Sequence, residues 1–152
     1  MIVKNNLYFE KGLLSEDIDW TIRLFMFSNK FGAINIPYYY YRQNREGSIT
    51  NSISHKNVEA LLNIIEKFSA KVPMGDEQKC INNFLAYEYI ITLADYFLLS
   101  KNEREKVKDN IFEYQWLLKY NKNKKVKICY VFKSAFGVKC LGYTLSRIIL
   151  KR

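Results

Sequence analysis

Acidic residues cluster where the first helix of this chain is predicted to begin. Glu16 and Asp17 follow Ser15, a residue type that often caps helices, and apolar residues then recur at helical spacing. The positive end of a helix dipole favours a carboxylate, so Asp17 could accept a proton from a hydroxyl as a general base. The alternative is ordinary helix chemistry, because first-turn acids stabilise a helix by about 0.3–1 kcal/mol without any catalytic role.

A second group of polar residues follows in a predicted loop. Arg42 and Arg45 stand near Ser48, with Gly47 beside it. Arginine forks match phosphate oxygens, hydroxyls donate single hydrogen bonds, and glycine lets the backbone approach closely. The pattern therefore favours the binding of phosphate groups, although a solvated turn after an edge strand has the same composition.

Together, the two groups resemble part of a known enzyme family. A Glu-Asp pair at a helix start is followed by Tyr-Tyr-Arg at residues 40–42 and by Ser-Ile-Thr at residues 48–50. Over about residues 7–57, this order and spacing resemble the C-terminal part of bacterial family 2 glycosyltransferases, particularly those that build capsular and other surface polysaccharides. The resemblance implies a GT-A fold and an inverting transfer from a nucleotide-sugar donor to a glycan or lipid-linked acceptor.

The resemblance also implies roles for individual residues. Asp17 would be the general base that deprotonates the acceptor hydroxyl, and Glu16 would help to hold the acceptor or the helix start. The donor diphosphate would contact the later loop, through Arg42 or Arg45 together with Ser48.

Aromatic rings are further candidates for binding the acceptor. Trp20 lies on the first predicted helix, and Tyr40 belongs to a run of four tyrosines. If that run is a strand, its rings alternate between two faces, so that one pair faces a cleft or solvent. We therefore predict that Trp20 and Tyr40 contact the acceptor sugar, with core packing as the alternative for Trp20.

The resemblance also indicates what this chain lacks. In the family, the nucleotide-binding half precedes the Glu-Asp pair and carries an Asp-x-Asp motif that binds Mg²⁺ or Mn²⁺. Because only 15 residues precede Glu16, we expect a fragment that is inactive alone, with no cofactor and no metal site of its own. Asp17-Ile18-Asp19 has the spelling of that motif, but it overlaps the position of the base and is interpreted as a coincidence.

The single histidine, His55, is interpreted as a helix-entry or surface residue.

Residue periodicity predicts a mainly α fold with a small β ribbon near the N-terminus, as in a C-terminal fragment of a GT-A α/β fold followed by a helical region. The expected parts are an acceptor-side remnant of the catalytic domain at 1–54, a helical region at 55–120 and a basic amphipathic C-terminal helix at 121–152. The predicted strands are 33–36 and 38–42, and the predicted helices are about 15–29, 58–68, 76–99, 103–120 and 125–150, the last weakened by two glycines.

Basic residues are concentrated at the end of the chain. Residues 119–152 contain ten of the 24 basic residues and no acidic one, whereas the first 118 residues contain 14 basic and 15 acidic residues, a net charge of −1. Lysines interleaved with large apolar residues are typical of an amphipathic helix on an anionic membrane. The near-neutral body argues against nucleic acid as the partner, and an ordinary helix with a solvated basic face is the alternative.

Localisation follows from the same features. No apolar run reaches about 18 residues, so no spanning helix is predicted. Three cysteines without a secretory signal predict reduced thiols in the cytoplasm. We expect a peripheral protein at the inner face of the cell membrane.

The alternative function is a non-enzymatic helical module that binds an anionic membrane through its basic C-terminus.

Overall fold

Helices dominate the computed structural model, which describes residues 1–37, 39–40, 53–107 and 109–149. A turn of 3₁₀-helix at Val3–Asn5 precedes the first α-helix, and a longer 3₁₀ segment occupies Asp109–Lys119. The α-helices are α1 (Glu16–Phe27), α2 (His55–Phe68), α3 (Asp76–Leu98), α4 (Lys101–Lys106), α5 (Lys124–Phe136) and α6 (Val138–Ile149).

The predicted fold class is wrong. Helices make up 69% of the structure, and none of the described residues forms a strand, so the GT-A α/β fold and the β ribbon are both contradicted. Residues 33–36 run as irregular chain, with Ile34 and Ile36 exposed to 71% and 66%. Branched and aromatic residues favour a strand only when a neighbouring strand completes the backbone hydrogen bonds, and no described segment does so. Tyr39 and Tyr40, the described part of the second predicted strand, are also irregular.

Helix α3 forms the centre of the molecule. It packs against α2, α5, α6 and the 3₁₀ segment. Its side chains are buried on several sides, and Leu85, Tyr89 and Leu93 are inaccessible to solvent. A helix with apolar residues all around it is stable only inside such a layer of neighbours.

The C-terminal half departs from the predicted pattern at two places. Of the predicted helix 103–120, only its first residues are α-helical, because α4 ends at Lys106 and the 3₁₀ segment follows. The predicted last helix, 125–150, is divided at Gly137, whose φ of +83° is accessible to glycine but strained for other residues. Helices α5 and α6 are therefore separate and pack against each other.

A close approach fixes α6 on α3. Gly142 lies so near the ring of Phe97 that a Cβ at this position would overlap the ring, and it would stand 3.1 Å from Cγ of Leu93. The absence of a side chain at Gly142 is thus what lets the two helices pack at this distance.

Replacing Gly142 with alanine should therefore destabilise the protein. We expect the free energy of unfolding, measured in urea, to fall by about 1–3 kcal/mol because the added methyl group overpacks the core. Gly32→Ala is the matched control, since a Cβ at Gly32 meets no atom within 4 Å. Equal stability of the two variants would contradict the close packing of α6 on α3.

Candidate functional site

A cleft of about 550 Å³ lies between the start of α1, α2 and α3. We call it the acidic cleft, because four of its lining residues carry carboxyl groups. These are Glu16, Asp17, Glu88 and Asp95, and the other lining residues are Leu14, Ser15, Ile18, Ile53, Asn57, Leu61 and Ile91.

The rim of the acidic cleft is formed by the first turn of α1. Glu16 and Asp17 are both exposed there, as expected for acidic residues at the positive end of a helix dipole. Ser15 precedes them in a left-handed conformation with φ of +58°, and its side chain makes no capping hydrogen bond. Ser15 is the N-cap residue, as predicted, but it contributes its carbonyl, which accepts a hydrogen bond from the Ile18 amide at 3.1 Å, and not its hydroxyl.

The wall of the acidic cleft contains the carboxyl group of Glu88. Glu88 is only 8% exposed, and its carboxyl group has no hydrogen-bond partner among the described residues. Burial, together with the negative charge of Asp17, raises the pKa of Glu88 to about 7. Burial also raises the pKa of Asp95 to about 6. Near neutral pH, Glu88 can therefore donate as well as accept a hydrogen bond.

Sequence reasoning missed Glu88 and Asp95. They are seven residues apart on α3 and line the same cleft, and a spacing of seven puts two residues on one face of a helix. Two carboxyl groups on one face of the largely apolar second half of α3 were the available signal. Among the described residues, no three Asp, Glu, His or Cys side chains are grouped so that they could hold a metal ion.

Asp19, the second acid of the Asp-Ile-Asp sequence, has a structural position. It is fully buried and accepts hydrogen bonds from Nε of Arg23 at 2.6 Å and from Nζ of Lys67 at 2.7 Å. Burial alone would raise the pKa of Asp19, but these two hydrogen bonds and the nearby positive charges outweigh it and lower the pKa. Because Lys67 belongs to α2, this carboxylate joins α1 to α2.

The N-terminal segment is held on α1 by two further hydrogen bonds. The indole of Trp20 donates to the Leu7 carbonyl at 3.0 Å, and Arg23 donates to the Tyr8 carbonyl at 2.8 Å. The ring of Phe9 stacks on Trp20 with centroids 5.0 Å apart. These contacts complete the anchoring of the helix that carries Asp17.

The predicted acceptor-binding residues, Trp20 and Tyr40, do not join Asp17 at the acidic cleft. Neither Trp20 nor Tyr40 lines the acidic cleft, and Tyr40 is 96% exposed. Arg42, Arg45 and Ser48 lie outside the described residues, so their contact with a donor diphosphate stays a prediction.

The start of α2 is fixed by hydrogen bonds to Glu103 on α4. His55 begins α2, and its backbone amide donates to the Glu103 carboxylate at 3.0 Å, while its Nδ1 lies 2.5 Å from the same oxygen. Hydrogen bonds from Lys106 and from His55 lower the pKa of Glu103 to about 2. His55 therefore has a structural partner on α4.

A second surface of functional interest lies on α5. Ile128, Val131 and Phe136 are exposed and line a shallow apolar groove together with Lys124 and Lys127. Their spacing puts them on one side of the helix. We call this surface the apolar–lysine face. None of the described helices has both the length and the apolar composition needed to cross a bilayer.

Comparison with protein-family models, with curated proteins and with solved structures finds no match for this chain.

Replacing Glu88 with glutamine should change how stability depends on pH. The folded protein raises the pKa of Glu88 from 4.5 to about 7, so the folded state binds more protons than the unfolded chain between these values. The free energy of unfolding should therefore fall as the pH rises through this window, by at most roughly 3 kcal/mol from this group. Because glutamine cannot titrate, Glu88→Gln should lose less stability than the wild type between pH 4.5 and pH 8.

Urea unfolding at several pH values between 4.5 and 8 measures this difference. Glu105→Gln is the matched control, because Glu105 is exposed on α4, and it should retain the wild-type dependence. Parallel curves for Glu88→Gln and the wild type would contradict a buried, protonated carboxyl group in the acidic cleft.

Proposed function

We propose that this chain is the acceptor-side part of a sugar-transferring protein, and that the acidic cleft binds a hydroxyl-rich acceptor. The observation that carries this proposal is the pair of carboxyl groups of Asp17 and Glu88, which line the same cleft. One of them is exposed at a helix tip and the other is buried. Two carboxyl groups in such different environments are suited to different roles, one as a proton acceptor and the other as a donor.

The chemistry proposed for the acidic cleft divides between these two groups. The exposed carboxylate of Asp17 accepts the proton of an acceptor hydroxyl as the hydroxyl oxygen attacks the donor sugar. Glu88, protonated over part of the neutral range, donates a hydrogen bond to a neighbouring sugar oxygen. Asn57 and the apolar residues of the cleft supply the mixed surface on which sugar rings bind.

The donor side of the reaction stays a prediction from the resemblance. A nucleotide-sugar donor would place its diphosphate near Arg42, Arg45 and Ser48, and any Mg²⁺ or Mn²⁺ would belong to a donor-binding half. Ile53, which follows this segment in the sequence, lines the same cleft as Asp17.

Sugar binding tests the proposal directly. We expect a panel of neutral oligosaccharides, titrated into ¹⁵N-labelled protein, to shift the amide resonances at the start of α1 and around residues 88–95. Asp17→Asn and Glu88→Gln should each weaken binding by about tenfold, or 1.4 kcal/mol, the size expected for a hydrogen bond to a charged or buried group. Glu105→Gln should bind like the wild type, and an absence of shifts at the cleft with every sugar would defeat the proposal.

The apolar–lysine face favours a second function, the binding of an anionic membrane. Ile128 is exposed to 70% although it is large and apolar, and lysines lie beside it in the same groove. Apolar side chains that enter the lipid interface and cations that meet its headgroups act together, and each nearby cation adds about 1 kcal/mol. Peripheral attachment at the inner face of the cell membrane is part of this proposal.

Removing the apolar side chains should abolish this attachment. We expect the wild type to float with vesicles that contain phosphatidylglycerol but not with pure phosphatidylcholine, because the attraction is partly electrostatic. Ile128→Ser/Val131→Ser should remain at the bottom of the gradient with both kinds of vesicle. Ile34→Ser/Ile36→Ser removes equally exposed apolar residues outside α5 and should float normally; equal flotation of both double variants would contradict a role for α5.

A further inference from the structure

Two adjacent pockets meet at Cys80, on the first turns of α3. The apolar pocket has a volume of about 380 Å³ and the lysine pocket about 520 Å³, and both are lined by Cys80. The apolar pocket is otherwise lined by Ile22, Phe25, Met26, Phe31, Glu77, Ile81 and Phe84. The lysine pocket is otherwise lined by Asp76, Lys79, Asn83, Lys119, Tyr120, Asn121 and Lys122. Neither pocket shares a lining residue with the acidic cleft.

The lysine pocket carries an excess of positive charge. Asp76 neutralises Lys79 through an ion pair of 2.9 Å, whereas Lys119 and Lys122 form no ion pair with any described residue. The ammonium group of Lys119 lies over the ring of Tyr120 at 5.2 Å, which holds this cation at the pocket wall. Lys79, Lys119 and Lys122 line this pocket with Asp76 as its acidic residue, and this excess of positive charge favours an anion.

The position of the lysine pocket is fixed by the fold. The backbone amide of Lys122 donates to Oδ1 of Asn83 at 3.1 Å, and Nδ2 of Asn83 donates to the Lys79 carbonyl at 2.8 Å. Asn83 thus joins the end of the 3₁₀ region to α3. Binding of an anion there requires little reordering of the backbone.

The apolar pocket is bounded by α1, by Phe31 and by α3. Phe25 and Phe31 contact each other with ring centroids 4.9 Å apart and close one side, while Ile81 and Phe84 form the opposite wall. Among the described residues that line it, Glu77 alone is charged, and Glu77 is exposed. The carboxylate of Glu77 would repel an anionic group at this end, so an anion belongs in the lysine pocket and a hydrocarbon chain in the apolar pocket.

We infer that the two pockets together bind one anionic single-chain lipid, with its phosphate at Lys119 and Lys122 and its hydrocarbon chain against Met26, Ile81 and Phe84. The contiguity of the pockets at Cys80 and the opposite character of their walls match the two ends of one such molecule. Their volumes lie in the range of small-molecule sites. The two pockets would bind this lipid whether or not the acidic cleft binds sugars.

Cys80 is a natural reporter for this site. It is exposed between the two pockets, whereas Cys129 is buried and the exposed Cys140 can be removed by Cys140→Ser. Alkylation of Cys80 by iodoacetamide, a neutral reagent, then reports the accessibility of the site. Decyl phosphate, used below the concentration at which it forms micelles, should slow alkylation by about tenfold, because reaction requires an accessible thiolate.

Two further probes separate the contributions of the chain and of the phosphate. Inorganic phosphate alone and decyl maltoside, which has the same chain but a neutral headgroup, should each give much less protection at equal concentration. If inorganic phosphate protected Cys80 from alkylation as well as decyl phosphate does, the site would bind only the anion and not the hydrocarbon chain. Equal protection by decyl maltoside would remove the role of the lysines, and either result would overturn the inference.

Paired variants test the residues, after circular dichroism has verified that each variant is folded. Lys119→Gln/Lys122→Gln should raise the concentration of decyl phosphate needed for half-protection by about tenfold or more. Lys56→Gln/Lys101→Gln removes two exposed lysines that line neither pocket and should leave it unchanged. An unchanged half-protection concentration in Lys119→Gln/Lys122→Gln would also overturn the inference.

The apolar pocket has its own matched pair. Met26→Gln places a polar amide in the pocket wall, and Met74→Gln makes the same change at an exposed position that lines neither pocket. Only Met26→Gln should weaken protection by decyl phosphate. Equal affinity in both variants would show that the hydrocarbon chain lies elsewhere and would contradict the inference.

Discussion

The buried carboxylate of Asp19 is the contact on which the geometry of the acidic cleft depends. It is bonded to Arg23 within α1 and to Lys67 on α2, so both helices must meet at one position for all three charges to be satisfied. Desolvation of such charges costs several kcal/mol, and good hydrogen-bond geometry is needed to offset it. The net gain in stability is therefore small, but other arrangements of α1 on α2 remove the bond from Lys67 and leave the buried carboxylate with Arg23 as its one cation partner among the described residues. Asp17, two residues before Asp19, owes its place at the cleft to this constraint.

Helix α3 gives three different surfaces their chemistry. Glu88 and Asp95 face the acidic cleft, Ile81 and Phe84 face the apolar pocket, and the first turns contribute to the lysine pocket. The same helix contacts α6, where Gly142 meets Phe97. Because α3 is buried among its neighbours, these surfaces belong to one rigid element, and a substitution that displaces α3 alters all of them.

The sequence was informative about helices and much less so about their assembly. Apolar spacing located α1, α2 and α3 to within a few residues, because amphipathic periodicity is a local property. It failed at 33–36, where strand-forming residues have no partner strand, and resemblance to a family with a sheet strengthened that wrong expectation. For the site, Glu16 and Asp17 were visible as a helix start, whereas the burial of Glu88 depends on the packing of α1 and α2 around it. Burial of that kind cannot be read from neighbouring residues alone.

The single residue between α5 and α6 has a consequence for the outer surface of α5. Gly137 alone separates α5 from α6, and Val126 and Cys129 bury the inner side of α5 in the core. The apolar–lysine face is consequently preorganised, since its residues are already helical before any partner arrives. A disordered basic tail loses conformational entropy when it folds on a surface, and this loss weakens its binding. For α5 most of that entropy has already been lost during folding of the domain.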